Sequence, residues 1–518
     1  MHLTALLERA ARIDPRKDAV VHGDEHLTYG ALLDRARRAA TVLTDRGLGP
    51  GDRVAVQTFN TPGFVVAAFG VWFAGGVLVP VNHKLAVPET AYAIEHSGAR
   101  IGIVAAELAL DATVAGPQTR WLTTEARVEG LEWFDELVER SAPLKPVPDL
   151  GQDDVAQFLY TSGTTGAPKA CVHTHRTISA VQPLIVSTLN FTSEERFLLS
   201  MPVWHAAPLN DWLLTMVFLG ATTILQREYD PAGFLEHVER YRATAFFGAP
   251  IAYIAPTQLA AAGRLSLSDY DLSSVTRWLY GGAPLGAEVA RTLMGAYGSD
   301  RFVQVYGVSE MGPVGTALHP HEQLTKAGSI GRRGMPGVDL RVVGDDGRDV
   351  DAPGTGEIWL RADTAMVAYH QAPEATAESF SGPWFRTGDV ARVDEDGYLY
   401  IVDRLKDVII VGGENVHSQE VEEALRGHPR ISDIAVVGRP HPAWGESVVA
   451  VYVSGDGAAV ELEEMREYLG KLLARYKLPR EAIRVDRLPR NPSGKLTKHI
   501  IRSEVVLSRT ATEEPQPS

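Results

Sequence analysis

Short apolar runs recur along the chain from residue 1 to about 400, and helical patterns lie between them. Val54-Ala55-Val56, Ile101 to Ala105, Ala245-Phe246-Phe247 and Phe302 to Val305 have the length and composition of buried strands, while Asp230 to Arg242 and Ala287 to Tyr297 carry helical spacing. This alternation predicts parallel sheets with crossover helices, because parallel neighbours need a long return connection. The most apolar stretch, Phe64 to Val81, holds 18 residues without a charge. That is the lower limit for a membrane span. Gly75 and Gly76 interrupt it, and Leu78 to Val81 reads as a strand, so the stretch predicts a helix, a glycine turn and a parallel strand of a soluble core.

After Gly337 the texture changes. Leu340 to Val343, Gly356 to Leu360 and Tyr398 to Val402 are short strands separated by Asp/Gly turns at Asp345-Asp346-Gly347 and Asp394 to Gly397, which predicts a small antiparallel module. A second break falls at Asp403 to Lys406. The 518 residues make room for about three domain-sized units. The expected organisation is a large core over residues 1–403, a mobile α+β domain over 404–508, and a disordered polar tail over 509–518. Five of the ten lysines lie from Lys406 onward, which makes the final segment a candidate cationic domain. The first 24 residues lack an apolar stretch of signal-peptide length, and Leu6, Leu7 and Ala10 predict a short amphipathic helix. A net charge of −15 argues against non-specific nucleic-acid binding. The single cysteine, Cys171, rules out an intrachain disulfide and fits a cytoplasmic protein.

The sharpest motif is Tyr160 to Lys169, YTSGTTGAPK. Gly163 and Gly166 permit backbone conformations closed to other residues. Thr161, Ser162, Thr164 and Thr165 add hydroxyl donors, and Lys169 adds a positive charge. Successive N–H and O–H groups of this kind can cradle a polyphosphate. The apolar lead from Val155 predicts a strand entering the loop. A Walker A loop is excluded, since Ala170 follows Lys169 where that motif needs Ser or Thr.

YTSGTTGAPK resembles the phosphate-loop signature of the adenylate-forming superfamily, which includes acyl- and aryl-CoA synthetases, peptide-synthetase adenylation domains and beetle luciferases. Further segments resemble that family in the family's order, over about residues 5 to 507. Tyr280 to Pro284, YGGAP, is similar to the segment along adenine, with Gly281, Gly282 and Ala283 allowing a flat base to approach. Tyr306 to Glu310, YGVSE, is similar to the family's Tyr-Gly-x-Thr-Glu. By that resemblance Tyr306 stacks on adenine beside Gly307, Ser309 donates to the α-phosphate, and Glu310 helps hold Mg²⁺, a hard cation suited to oxygen ligands. Trp384 to Asp389, WFRTGD, implies a ribose-binding Asp389, and Arg404 implies a second ribose contact. Lys406 occupies the family's hinge position. Gly412, Gly413 and Glu414 resemble the strand–turn that lines the coenzyme A channel. Ser418 stands where the family often has Pro and is expected to cap the following helix. Leu488 to Leu496, LPRNPSGKL, implies that Lys495 is the catalytic lysine, a cation placed between two reacting anions.

The resemblance therefore implies ATP-dependent activation of a carboxylic acid to acyl-AMP, with ATP and Mg²⁺ required and coenzyme A as acceptor. The alternative acceptor is an acyl carrier protein or another nucleophile. A homodimer is one option left open. Pro202 to His205, PVWH, resembles the family's Pro-x-Phe-His, which implies that His205 is a gate between the acid pocket and the thiol channel, with Trp204 in the Phe place. The expected pocket residues are Phe247, Gly248, Ala249 and Met311, with Ala206, Ala207 and Gly312 nearby. They are small or apolar, which favours an apolar or aromatic monocarboxylate. Asp211 is the one nearby acid. Where amino-acid-activating domains usually carry Phe-Asp this chain has Val203-Trp204, which disfavours an amino acid.

Overall fold

The computed structural model describes residues 1–145, 149–161, 168–282, 285–404, 407–411, 414–441, 445–473, 475–490 and 496–507, with the backbone alone for residues 403, 404, 410, 414, 415, 445, 499, 506 and 507. Ser162, Gly163, Thr164, Thr165, Gly166, Ala283, Lys406, Gly412, Gly413, Lys495 and the tail 509–518 lie outside the described residues, as do the side chains of Arg404 and Glu414.

Two eight-stranded sheets carry the expected α/β architecture. The first runs in space Gly315–Leu318, Phe302–Gly307, Arg277–Gly281, Ala245–Gly248, Arg196–Leu199, Thr222–Leu225, Asp18–His22 and Glu25–Thr28. All its internal pairings are parallel, and only the two edge strands run antiparallel. The second centres on Arg53–Gln57, Val77–Pro80, Ile101–Ala105 and Arg120–Thr124, again parallel. Its Val155–Thr161 strand joins Val77–Pro80 in parallel and turns back antiparallel into Lys169–Thr174. The third sheet is small and contains Asp339–Val343, Gly354–Arg361, Trp384–Val393 and Phe380–Ser381, with Leu399–Arg404 on Trp384–Val393. The fourth consists of Ile409–Val411, Glu414–Val416, Ile431–His441 and Gly445–Ser454, with a parallel Glu481–Arg484.

The apolar stretch at Phe64 resolves as predicted. Helix Pro62–Phe73 is followed by strand Val77–Pro80, with Gly75 between them at φ +77°. Every residue of the helix from Phe64 to Phe73 is buried, which removes the need for a polar face. Among the described residues no helix is long and apolar enough to cross a membrane. The helix packs on Tyr29–Thr44 through small residues, and a Cβ on Gly70 would sit 2.6 Å from the Ala39 Cβ. Trp72 satisfies its indole N–H on the Ala156 carbonyl at 2.9 Å. Helix Pro231–Tyr241 is capped by Asp230, whose carboxylate accepts from Gly233 N at 2.6 Å, and it stops at Arg242 in the left-handed region. The N-terminal helix is Leu3–Ile13, with Leu6, Leu7 and Ala10 buried.

The chain divides into two compact units: Met1–Gly163, Ala167–Leu340 and Trp359–Arg386 in the first, and Thr164–Gly166, Arg341–Ile358 and Thr387–Ser518 in the second. The first has an aromatic core around Phe234, Phe246, Tyr253 and Trp278. The second has its own core around Ile434, Val436, Val421 and Met465. One local expectation is corrected there. Helix Ser418–Arg426 begins after His417, and Ser418 is its first helical residue rather than its cap. The Ser418 hydroxyl instead accepts from Lys498 Nζ at 2.5 Å, because that ammonium is drawn to the buried Glu422 carboxylate at 2.8 Å.

Candidate active site

In the first unit, the expected site residues collect at the carboxyl ends of parallel strands, where open α/β sheets hold ligands. Thr161 ends one strand and Lys169 opens the next, and the two are paired in antiparallel register. Gly281 ends strand Arg277–Gly281. A Cβ there would meet the Val305 carbonyl oxygen at 2.3 Å, so the neighbouring strand is what demands glycine. Gly282 follows at φ +76°.

Strand Phe302–Gly307 delivers Tyr306, Gly307 and the single turn Ser309–Met311. A side chain at Gly307 is impossible, since a Cβ would lie 1.7 Å from the Pro313 carbonyl oxygen of the returning chain. Four successive carbonyls of this turn have fixed partners. Ser309 O accepts from His173 Nε2 at 2.9 Å and Glu310 O from Met366 N at 2.7 Å. Met311 O accepts from the Thr364 hydroxyl at 2.7 Å, and Gly312 O from Asn210 Nδ2 at 3.2 Å. Main-chain anchoring of this kind leaves the Ser309 and Glu310 side chains half-buried on a fixed backbone.

Glu310 Oε1 accepts from the Tyr369 hydroxyl at 2.8 Å, and Lys169 Nζ lies 5.1 Å from the centroid of the same Tyr369 ring. Burial, reinforced by the Glu310 charge, keeps the Tyr369 phenol protonated. One phenol thus links the lysine of the signature motif with the carboxylate expected to hold metal. His173 is fully buried, and burial lowers its imidazole to about 4, so it meets Ser309 as a neutral donor.

His205 lies in the loop after strand Arg196–Leu199, just before the π-helical segment Ala207–Leu213. Asn60 organises that loop. Its Nδ2 donates to the carbonyls of Leu199, Met201 and Gln226, and its Oδ1 accepts from Val203 N at 2.9 Å. Trp204 packs against His205 with centroids 3.7 Å apart and the rings tilted by 35°. Among the expected pocket residues, Phe247 and Met311 are 4% and 0% exposed. Gly248 is buried and Ala249 is half-buried. Phe247 packs 5.0 Å from the buried Trp212 ring. Asp211 is 4% exposed, and burial pushes its carboxyl well above the usual carboxylate range.

In the second unit, Asp389 is 5% exposed on strand Trp384–Val393, opposite Arg404 in the antiparallel register. Gly388, at φ +70°, donates its N–H to Glu357 at 3.0 Å and fixes the bend before Asp389. Arg490 and Leu496 form an isolated bridge flanking residues 491–495, and Arg490 is held by Asp433 at 2.7 Å.

Asn60, His173, Asn210, Thr364 and Tyr369 were not expected from the sequence. Each acts across a long sequence separation, 136 residues for His173 with Ser309 and 59 for Tyr369 with Glu310, so no local pattern announces them.

Parallel sheets with candidate nucleotide residues at their strand ends have the architecture of the adenylate-forming class. The family model for AMP-binding enzymes matches residues 7–370, and that for their C-terminal domain matches residues 420–495. The chain belongs to the AMP-binding enzyme family and is an acid–thiol ligase of the AMP-forming acyl-CoA synthetase type, using ATP, Mg²⁺ and coenzyme A. It is 39% identical to a feruloyl-CoA synthase from Amycolatopsis sp, over 95% of this chain and 97% of that one. It is 35% identical to the long-chain-fatty-acid–CoA ligase FadD13 of Mycobacterium tuberculosis, over 96% and 97%. Among solved structures, the anthranilate CoA ligase AuaEII in complex with anthranoyl-AMP superposes with a TM-score of 0.87 at 25% identity, covering 98% of each chain.

Proposed function

We propose that the chain activates an apolar or aromatic monocarboxylic acid as its acyl-AMP and passes the acyl group to free coenzyme A in the cytoplasm. The observation that supports this acid class most directly is the make-up of the expected pocket. Phe247, Gly248 and Met311 are apolar or small and buried, and burial pushes the neighbouring Asp211 carboxyl well above the usual carboxylate range. Among these described residues there is no cation to hold the second carboxylate of a diacid, and burial disfavours a charged Asp211 as acceptor for an amino group. The relatives that act on ferulate and on long-chain fatty acids are consistent with this chemistry.

In the first half-reaction the acid's carboxylate oxygen forms a bond to the α-phosphorus of ATP, and the bond to the β,γ-phosphates breaks with release of pyrophosphate. Thr161, Ser162, Gly163, Thr164, Thr165, Gly166 and Lys169 are assigned to the departing phosphates. Gly281, Gly282, Ala283, Tyr306 and Gly307 are assigned to the base, Ser309 to the α-phosphate, and Asp389 and Arg404 to the ribose. Lys495 is assigned to the charge that develops as the two anions meet. Mg²⁺, when bound, neutralises phosphate charge. Glu310 is the residue assigned to it, and its fit rests on an oxygen ligand held by a neutral phenol, since Mg²⁺ commonly takes one or two carboxylates with the phosphates completing its shell. In the second half-reaction the small domain, residues 404–508, turns about Lys406, coenzyme A enters beside Gly412, Gly413 and Glu414, and its thiol displaces AMP. His205 stands at the gate between acid and thiol.

The test is acid-dependent pyrophosphate release across benzoate, cinnamate, a branched acid, hexanoate, a polycyclic acid, malonate and phenylalanine, each with and without coenzyme A. Turnover of the aromatic or apolar monoacids with consumption of thiol is expected. A preference for malonate or phenylalanine would overturn the acid class, and pyrophosphate release without thiol consumption would point to a carrier-protein acceptor.

A further inference from the structure

Trp204 occupies a place where the family resemblance leads one to expect phenylalanine, and its indole N–H has found a use. It donates to His83 Nδ1 at 3.2 Å. His83 is buried, its side chain 5% exposed, and burial holds its imidazole below the usual histidine range, so the ring is neutral. With Nδ1 accepting, the ring proton sits on Nε2, facing Glu228 Oε1 at 3.5 Å. Phe59 packs against the same imidazole at 4.6 Å, and the Arg227 guanidinium lies 3.7 Å from the Phe59 centroid. Arg227 is itself held by Glu107 and Glu125 at 2.7 and 3.1 Å. The far end of the indole is therefore anchored, and its other neighbour is the His205 ring, 3.7 Å away at 35°.

The backbone here needs no such anchor. Val203 N is bound by Asn60 and His205 N by the Pro202 carbonyl at 3.1 Å. What the indole hydrogen bond adds is control of a side-chain plane, which limits the rotamers open to a ring packed against it. We infer that Trp204, anchored by His83, is a positioning residue for His205, fixing the orientation from which His205 admits the thiol to the acyl-adenylate. The inference rests on the gate reading of His205 given above.

The experiment uses the full chain and two readouts. One is acid-dependent ATP–pyrophosphate exchange. The other is thioester formation from supplied cinnamoyl-AMP or hexanoyl-AMP, whichever the wild type uses faster, with kcat and KM for coenzyme A. Trp204→Phe and His83→Leu should each lower kcat/KM for coenzyme A by roughly threefold to tenfold, the effect of one lost hydrogen bond, and leave exchange within about twofold. The double variant should be no worse than either single one. His83→Asn, whose amide oxygen can still accept from the indole, should recover most of the loss. Unchanged coenzyme A kinetics in Trp204→Phe, or losses that multiply in the double variant, would overturn the inference. Should His83→Leu not fold, Trp204→Phe decides alone, because it keeps an aromatic ring in place while removing the donor. His205→Ala separates the two levels of the claim. If it slows the thiol step while Trp204→Phe does not, positioning is wrong and the gate stands. If it leaves the thiol step untouched, the gate falls and the positioning role falls with it.

Discussion

The turn from Ser309 to Gly312 has each of its four carbonyls taken by a group distant in sequence, and His173 is the most constrained of them. Its imidazole is held near 4 by burial, against an ordinary value of 6.5. Between those two values an unfolded chain takes up a proton that the folded chain refuses, so stability falls as pH drops through this window, by up to about 3 kcal/mol once pH is below 4. His173→Gln should remove that component. Denaturant unfolding at pH 7, 5.5 and 4 should show a shallower loss for the variant than for the wild type, and equal slopes would contradict the assignment. His175, whose imidazole burial also lowers to about 4, is common to both chains and cancels in the difference. Tyr369 makes a second residue-scale case. Tyr369→Phe removes the donor to Glu310, a bond to a charged group. The Mg²⁺ concentration giving half-maximal pyrophosphate release should then rise about tenfold. An unchanged Mg²⁺ dependence would show that the phenol does not orient this carboxylate. Glu310, Lys169 and Asp389 were legible in the sequence as candidates because each sits in a multi-residue motif that carries the family resemblance. Their supports were not, because a hydrogen bond across 136 residues leaves no local trace.

At the scale of elements, periodicity carried the reading far. Ile101–Ala105 is found with the bounds its apolar run predicts, and the helix–turn–strand reading of Phe64 to Val81 holds because two adjacent glycines end the helix. Strand ends were less legible. Phe302–Gly307 extends past its apolar run because Tyr306 and Gly307 pair with Thr316 and Gly315 of a return strand that composition does not announce. The cap at Ser418 was misread for a related reason: its hydroxyl is captured by Lys498, 80 residues away. Packing between helices Pro62–Phe73 and Tyr29–Thr44 gives the test at this scale. A Cβ at Gly70 would sit 2.6 Å from the Ala39 Cβ and 3.4 Å from the Ala36 carbonyl oxygen. Gly70→Val should therefore lower unfolding free energy by about 1–3 kcal/mol through overpacking. Undiminished stability would mean that the helices separate at little cost.

For the whole molecule, the chain divides into two units with separate cores, and each carries part of the expected nucleotide machinery. Lys495 belongs to the second unit's stretch of chain, and Glu310 and Lys169 belong to the first. If Lys495 serves the adenylation step alone, Lys495→Ala should lower ATP–pyrophosphate exchange by about 10²–10⁴ and largely spare thioester formation from supplied acyl-AMP. Equal losses in both half-reactions would remove that division of labour. The account as a whole stands on an intermediate formed before any thiol is present. In a single turnover of the wild-type chain with MgATP and cinnamate or hexanoate, quenched and analysed by mass spectrometry, acyl-AMP and pyrophosphate should appear in equal amounts without coenzyme A, and added coenzyme A should convert that adenylate to acyl-CoA and AMP. Release of ADP in place of pyrophosphate, or an adenylate that persists when coenzyme A is added, would contradict it.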